Sequence, residues 1–143
     1  MSAAVLYTPD VLGLTIQLAA YPWDEALPLK GEARSQSCGS TIAVGLALAE
    51  DGTVERIGIR SQACAIGQAA AAIFADAASG RSPQVLQEAG EAIALWLSGE
   101  GALPDWPGLE TIASARDYPA RHGAVLLPWH AVKRALSSGS DRS

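Results

Sequence analysis

The stretch TIAVGLALAEDGTVERIGI at residues 41–59 contains the pattern that decides the fold. Thr41 to Leu48 is apolar and includes β-branched residues, which is typical of a strand, and Thr53 to Ile59 has a similar but less regular pattern. Between these two segments, Glu50-Asp51-Gly52 is a hairpin signal. Glu32 to Gln36 can form a further short strand before them. We therefore predict an antiparallel meander of three strands.

Helical segments flank this meander on both sides. Thr8-Pro9 and Ser82-Pro83 each combine a hydroxyl cap with a proline at the first helical position, and Gly80 and Gly99 are typical of helix ends. The predicted helices span about Pro9–Ala20, Ala65–Ala78, Pro83–Leu97, Leu109–Ala115 and Ala124–Leu136. This order predicts an α+β fold in which helices pack on one face of a three-stranded antiparallel sheet. We expect one domain over residues 1–143, with residues 137–143 as a frayed tail.

Composition narrows the classes of function. The chain has 15 acidic and 10 basic residues, a net charge of −5 and no obviously basic face, so we expect neither nucleic acid nor a membrane surface as a partner. Met1 to Ala4 lacks the features of a secretion signal, and no apolar stretch is long enough for a transmembrane helix. We therefore expect a cytoplasmic protein, in which a disulfide is disfavoured.

The two cysteines are the main candidates for chemistry. Cys38 lies in the first turn of the predicted meander, and Cys64 lies just past its last strand, at the start of a helix. Amide donors and the helix dipole at a helix N-terminus favour a thiolate. From the residues alone, these cysteines are buried apolar side chains, metal ligands or reactive nucleophiles. The chain contains no Cys-x-x-Cys, no phosphate-binding glycine loop and no nucleophile elbow.

Five segments together resemble one family. They are Tyr7-Thr8-Pro9-Asp10-Val11-Leu12, Cys38-Gly39-Ser40, Cys64-Ala65-Ile66-Gly67-Gln68-Ala69, the segment from about Gly99 to Pro119, and Arg121 to Trp129. Their order and spacing are similar to those of the NifU N-terminal, IscU and SufU group, the scaffold proteins of iron–sulfur cluster assembly. The segment from Gly99 to Pro119 resembles the extra segment of SufU-type members. The resemblance implies the fold of that family, with Cys38 and Cys64 as neighbours.

This chain departs from the family pattern at three positions. The family's third cysteine aligns with Ala124, the aspartate of its Cys-Gly-Asp turn aligns with Ser40, and the Lys or His before the third cysteine aligns with Gly123. The resemblance therefore implies a divergent member that keeps Cys38 and Cys64 from the family's ligand set.

The resemblance implies a protein that is not an enzyme and that binds iron or an iron–sulfur cluster through Cys38 and Cys64. Zinc is the alternative metal, and a chain without metal is a further alternative. Because zinc and cluster sites usually have four ligands, other groups must complete the set. They can come from His122, from a second protomer in a homodimer, or from a small thiol or partner protein.

The resemblance also implies partners, namely a cysteine desulfurase and acceptor apo-proteins. Two other functions remain open at this stage. The chain can be a sulfur acceptor for a cysteine desulfurase, with Cys64 as the accepting thiol. It can also be a metal-free protein that keeps the fold as an interaction module.

Overall fold

The computed structural model describes residues 8–36 and 39–140, with side chains described as far as residue 137. The helices and strands occur in the order α1 (Pro9–Gln17), β1 (Leu29–Arg34), β2 (Thr41–Leu48), β3 (Val54–Gln62), α2 (Ala65–Ala78), α3 (Pro83–Leu97) and α4 (His122–Ser140). Short 3-10 segments lie at Leu18–Ala20, Leu109–Asp117 and Pro119–Arg121.

The three strands form one antiparallel sheet in the order β1-β2-β3. The predicted α+β class and the predicted meander are therefore confirmed. Strand β2 has the predicted bounds, whereas β1 begins at Leu29 instead of Glu32 and β3 continues to Gln62 instead of ending at Ile59. The longer β3 brings the end of the sheet to within two residues of Cys64.

One face of the sheet is covered by helices. Ile42, Val44 and Leu46 of β2 are fully buried on this face, in the same core as residues of α2 and α4. The contact between β1 and α4 is a backbone contact, because a Cβ at Gly31 would lie 2.3 Å from the carbonyl oxygen of Ala131. Glycine at this position therefore sets how closely α4 approaches the sheet.

The other face of the sheet is covered in part by the loop between α1 and β1. Leu27 of this loop is 2% exposed, and Cβ atoms at Gly45 and Gly58 would each lie 2.9 Å from its side chain. Arg56 forms an ion pair with Asp24 of the same loop. This loop explains why β2 is buried on both of its faces.

Local caps explain the helix starts. The hydroxyl of Thr8 accepts a hydrogen bond from the Val11 N–H at the start of α1, and that of Ser82 accepts one from the Val85 N–H at the start of α3. Helix α4 begins at His122 instead of the predicted Ala124 and continues to Ser140 instead of ending at Leu136. The frayed tail predicted for residues 137–143 stays a prediction.

Aromatic side chains connect α2, α4 and the segment before the long 3-10 helix. The rings of Phe74 and Trp106 are stacked with centroids 6.1 Å apart, and Trp129 meets both rings edge to face. The indole N–H of Trp106 donates to the carbonyl oxygen of Ile73 at 2.9 Å. These contacts hold α4 against α2, and the N-terminal ends of these two helices lie at the candidate site.

Candidate functional site

Cys64 is the N-cap residue of α2. Its backbone is extended, with φ −65° and ψ 169°, and its thiol makes no capping hydrogen bond. The residue is half-buried, and within residues 8–36 and 39–140 its thiol forms no disulfide. Its carbonyl oxygen accepts from the Gln68 N–H at 3.0 Å, while the Gln68 side chain donates to the carbonyl oxygen of Ala63 at 2.8 Å. Backbone and glutamine contacts thus define this helix start without involving the sulfur.

Ser40 connects the first turn of the sheet to Cys64. The N–H of Ser35 donates to the Ser40 carbonyl oxygen at 2.8 Å, and the N–H of Gly39, at φ +69°, donates to the Ser35 carbonyl oxygen at 2.9 Å. The Ser40 hydroxyl is buried and accepts the Cys64 N–H at 3.1 Å. The end of the turn that follows Cys38 in sequence is therefore fastened to the backbone of Cys64. Cys38 itself lies outside the described residues.

Ala124 lies beside the first turn of α2. It is fully buried, and a Cβ at Gly67 would stand 3.7 Å from the Ala124 Cβ. Gly67 is three residues past Cys64, so the N-terminal turns of α2 and α4 pack against each other. The position that aligns with the family's third cysteine is thus next to the helix start of Cys64, but it carries a methyl group.

His122 is the first residue of α4 and is half-buried. Its Nε2 lies 2.7 Å from the carbonyl oxygen of Arg116. Because a carbonyl oxygen only accepts, this contact suits the tautomer with the proton on Nε2, in which Nδ1 carries the lone pair. Metal-binding histidines commonly donate their second ring N–H to a carbonyl in this way. Among the described side chains, no hydrogen bond joins His122 to Cys64, so the structure brings their helix ends together without a direct polar contact.

Two further findings concern the residues around the site. In the described part of the chain, no group of three His, Cys, Asp or Glu residues comes together. The hydroxyl oxygen of Ser61, three residues before Cys64, is buried and has no hydrogen-bond partner among the described residues. Neither this unpaired hydroxyl nor the hydrogen bond of Ser40 was predictable from a sequence pattern, since both depend on contacts between separate segments.

Comparison with known proteins identifies the class of fold. No protein-family model and no curated protein sequence matches the chain. Among solved structures, the N-terminal part of a nitrogen-fixing NifU-like protein from Brucella abortus is similar, with a TM-score of 0.88, 25% identity, and coverage of 98% of each chain. The chain therefore has the fold of NifU-like proteins.

Two more distant structures share this fold. One is a proposed iron–sulfur cluster assembly scaffold protein for the SUF system from the thermophile Fervidobacterium islandicum, with a TM-score of 0.84, 18% identity, and coverage of 94% of this chain and 99% of that one. The other is a hypothetical protein with a TM-score of 0.74, 17% identity, and coverage of 89% and 96%. The predicted resemblance to the NifU/IscU/SufU-type scaffold family is confirmed.

Two further predictions concern enzymatic activity and membrane-spanning helices. The NifU-like protein and the SUF-system protein are members of the scaffold group, which agrees with the prediction that this chain is not an enzyme. In addition, the helices in the described part of the chain are all too short or too polar to cross a membrane.

Proposed function

We propose that the chain is a scaffold-like protein of iron–sulfur cluster assembly, and that it binds iron or an iron–sulfur cluster through Cys38 and Cys64. The observation that carries this proposal is the hydrogen bond from the Cys64 N–H to the hydroxyl of Ser40. It links the two cysteine-bearing segments on a fold shared with a NifU-like protein and a proposed SUF-system scaffold protein. A cytoplasmic location, where both thiols stay reduced, is part of the proposal.

Iron or an iron–sulfur cluster, the cargo of the proposed scaffold, needs more ligands than two thiolates. We propose His122 as a third ligand through Nδ1, since the carbonyl of Arg116 favours the proton on Nε2. A fourth ligand must come from outside this set. The three possible sources are a second protomer in a homodimer, a small thiol and a partner protein. Zinc in place of iron would also need a fourth ligand from one of these sources.

The half-buried thiol of Cys64 favours a second candidate function, that of a sulfur acceptor for a cysteine desulfurase. In this reaction the Cys64 thiolate attacks the terminal sulfur of the persulfide on the desulfurase. The new bond forms between Cys64 Sγ and that sulfur, the old sulfur–sulfur bond breaks, and the desulfurase cysteine leaves as a thiolate. Delivery of sulfur or cluster to acceptor apo-proteins would follow in either function.

Anaerobic purification followed by iron, sulfide and zinc analysis tests these functions. Iron with sulfide that is lost in both Cys38→Ser and Cys64→Ser supports the scaffold, and Ser61→Ala is the matched control that should keep the cargo. Persulfide on Cys64 after addition of a desulfurase and cysteine, without iron, supports the sulfur acceptor. If neither metal nor persulfide is found, both proposals are wrong and the interaction module remains.

Ala124→Cys provides a gain-of-function test. The variant places a thiol at the fully buried position beside Gly67, where it would add a third sulfur ligand next to the start of α2. We expect more metal per chain and slower loss to a chelator than in the unmodified protein. Unchanged metal retention in a folded Ala124→Cys variant would contradict a shared site at this helix junction.

A further inference from the structure

Most described basic residues have a partner within the fold. Lys30, Arg56 and Arg60 form ion pairs with carboxylates. Arg81 and Arg116 each lie over a tryptophan ring and donate to a backbone carbonyl. These five cations are therefore engaged by the protein itself.

Three other cations converge in space. Arg34, Lys133 and Arg134 are exposed, and in the described part of the chain none of them forms an ion pair with a carboxylate. They line one groove of about 330 Å³ between β1 and α4, which we call the basic groove; its lining residues are Ala33, Arg34, His130, Lys133, Arg134 and Ser137. A chain with a net charge of −5 thus concentrates unneutralised positive charge on one surface.

The geometry of the groove is partly fixed by the sheet. Arg134 Nη1 donates to the Glu32 carbonyl oxygen on β1 at 3.0 Å, which holds its guanidinium beside the strand. Burial and then the charges of Lys133 and Arg134 lower the pKa of His130, as expected where positive charge accumulates. Arg34 is the last residue of β1, and the Ser35–Ser40 turn follows it directly, so the groove begins next to the candidate site.

A second hollow continues from the basic groove across α4. It has a volume of about 170 Å³ and shares His130 and Lys133 with the groove. The second hollow is also lined by apolar Leu86, Ala94 and Trp129, together with one carboxylate, that of Glu91. The two hollows therefore adjoin at His130 and Lys133, and the second hollow has a mixed apolar and charged lining.

We propose that the basic groove docks an extended acidic segment of a partner protein, with an apolar side chain of that segment in the second hollow. The guanidinium groups of Arg34 and Arg134 match carboxylates in paired hydrogen bonds. Three exposed cations suit a segment with a few carboxylates, whereas the overall net charge of −5 disfavours a long polyanion such as nucleic acid. This docking does not depend on metal or cluster binding, because none of the groove residues is a proposed ligand.

Fluorescence anisotropy with a labelled peptide tests the proposal. The probe is an octapeptide with four glutamates and one leucine, and its counterpart with four glutamines is the peptide control. We expect binding to the full chain that weakens with added salt and falls roughly tenfold in the double variant Arg34→Gln/Lys133→Gln, because two charge pairs are lost. The matched protein control, Arg56→Gln/Arg60→Gln, removes the same charge from strand β3, outside the groove lining, and should bind nearly as well as the unmodified chain.

Four results of the peptide and variant measurements would each overturn the proposal. They are no binding of the glutamate peptide, equal binding of the glutamine peptide, equal losses in the two double variants, and no loss in the Arg34/Lys133 variant. Competition by inorganic phosphate or by a single-stranded oligonucleotide that exceeds that of the peptide would show that the groove recognises a different anion, and this would also contradict the proposal. Circular dichroism of both variants controls for folding.

Discussion

Replacement of Ser40 by alanine tests the connection between the two cysteine-bearing segments. Ser40 is 3% exposed, and its hydroxyl accepts the Cys64 N–H at 3.1 Å. Ser40→Ala removes the acceptor and leaves a partly buried N–H without it, which costs about 1–3 kcal/mol when the donor is well buried. Because Cys64 is half-buried, we expect a loss of about 1–2 kcal/mol in the free energy of unfolding. In urea denaturation, this corresponds to a fall of about 0.5–1 M in the midpoint at a typical m-value.

Ser61→Ala is the matched control for this measurement. The substitution is chemically identical and lies on the neighbouring strand, but the hydroxyl oxygen of Ser61 is buried without a partner among the described residues. Its removal should therefore leave the stability unchanged or raise it slightly, because an unpaired buried polar group is eliminated. Equal losses of stability in the two variants would refute the reasoning, since the hydrogen bond to Cys64 would then make no specific contribution to the free energy of unfolding.

Three further predictions follow from other contacts. Gly31→Ala should destabilise the protein by about 3 kcal/mol or more, or prevent folding, because its Cβ would lie 2.3 Å from backbone atoms of α4. In urea denaturation, the control Gly13→Ala should be neutral or stabilising, because nothing lies within 4 Å of a Cβ at that position. Burial and the contact with Asp76 raise the pKa of Tyr21 to about 12, so Tyr21→Phe should remove a component that titrates well above pH 10 in ultraviolet absorbance. The stability that this shift contributes is present below pH 10 and lost as the pH rises through 10 towards 12, and an unchanged titration curve in Tyr21→Phe would contradict this. Because the pKa of His130 is lowered in the folded protein, stability should fall as the pH drops below about 6.5, and His130→Gln should reduce this fall; an unchanged pH profile would contradict the assignment.

The sequence was most informative where structure is decided locally. The starts of α1 and α3 were predictable because Thr8 and Ser82 are hydroxyl caps followed directly by proline. Strand β1 was misplaced because glycine is unfavourable in a strand, whereas Gly31 is required there by the backbone of α4. That contact joins residues about a hundred positions apart, and no local pattern encodes it.

The candidate site was predictable only as a set of residues. The pattern around Cys64 correctly indicated a helix start, but the hydrogen bond to Ser40 requires the turn between β1 and β2 to meet the start of α2. The basic groove was not foreseen, since net charge and a scan along the sequence do not show that Arg34 and Lys133 converge in the fold. Both features depend on tertiary contacts between distant segments.

The contact between Ser40 and Cys64 has a consequence for how the site responds to acid. A serine hydroxyl neither gains nor loses a proton across the mildly acidic and neutral range, unlike the carboxylate that the family pattern places at this position. The hydrogen bond between Ser40 and Cys64 should therefore keep the same strength when a compartment acidifies or a proton is released nearby. Any response of the proposed site to acid must therefore arise elsewhere than in this hydrogen bond.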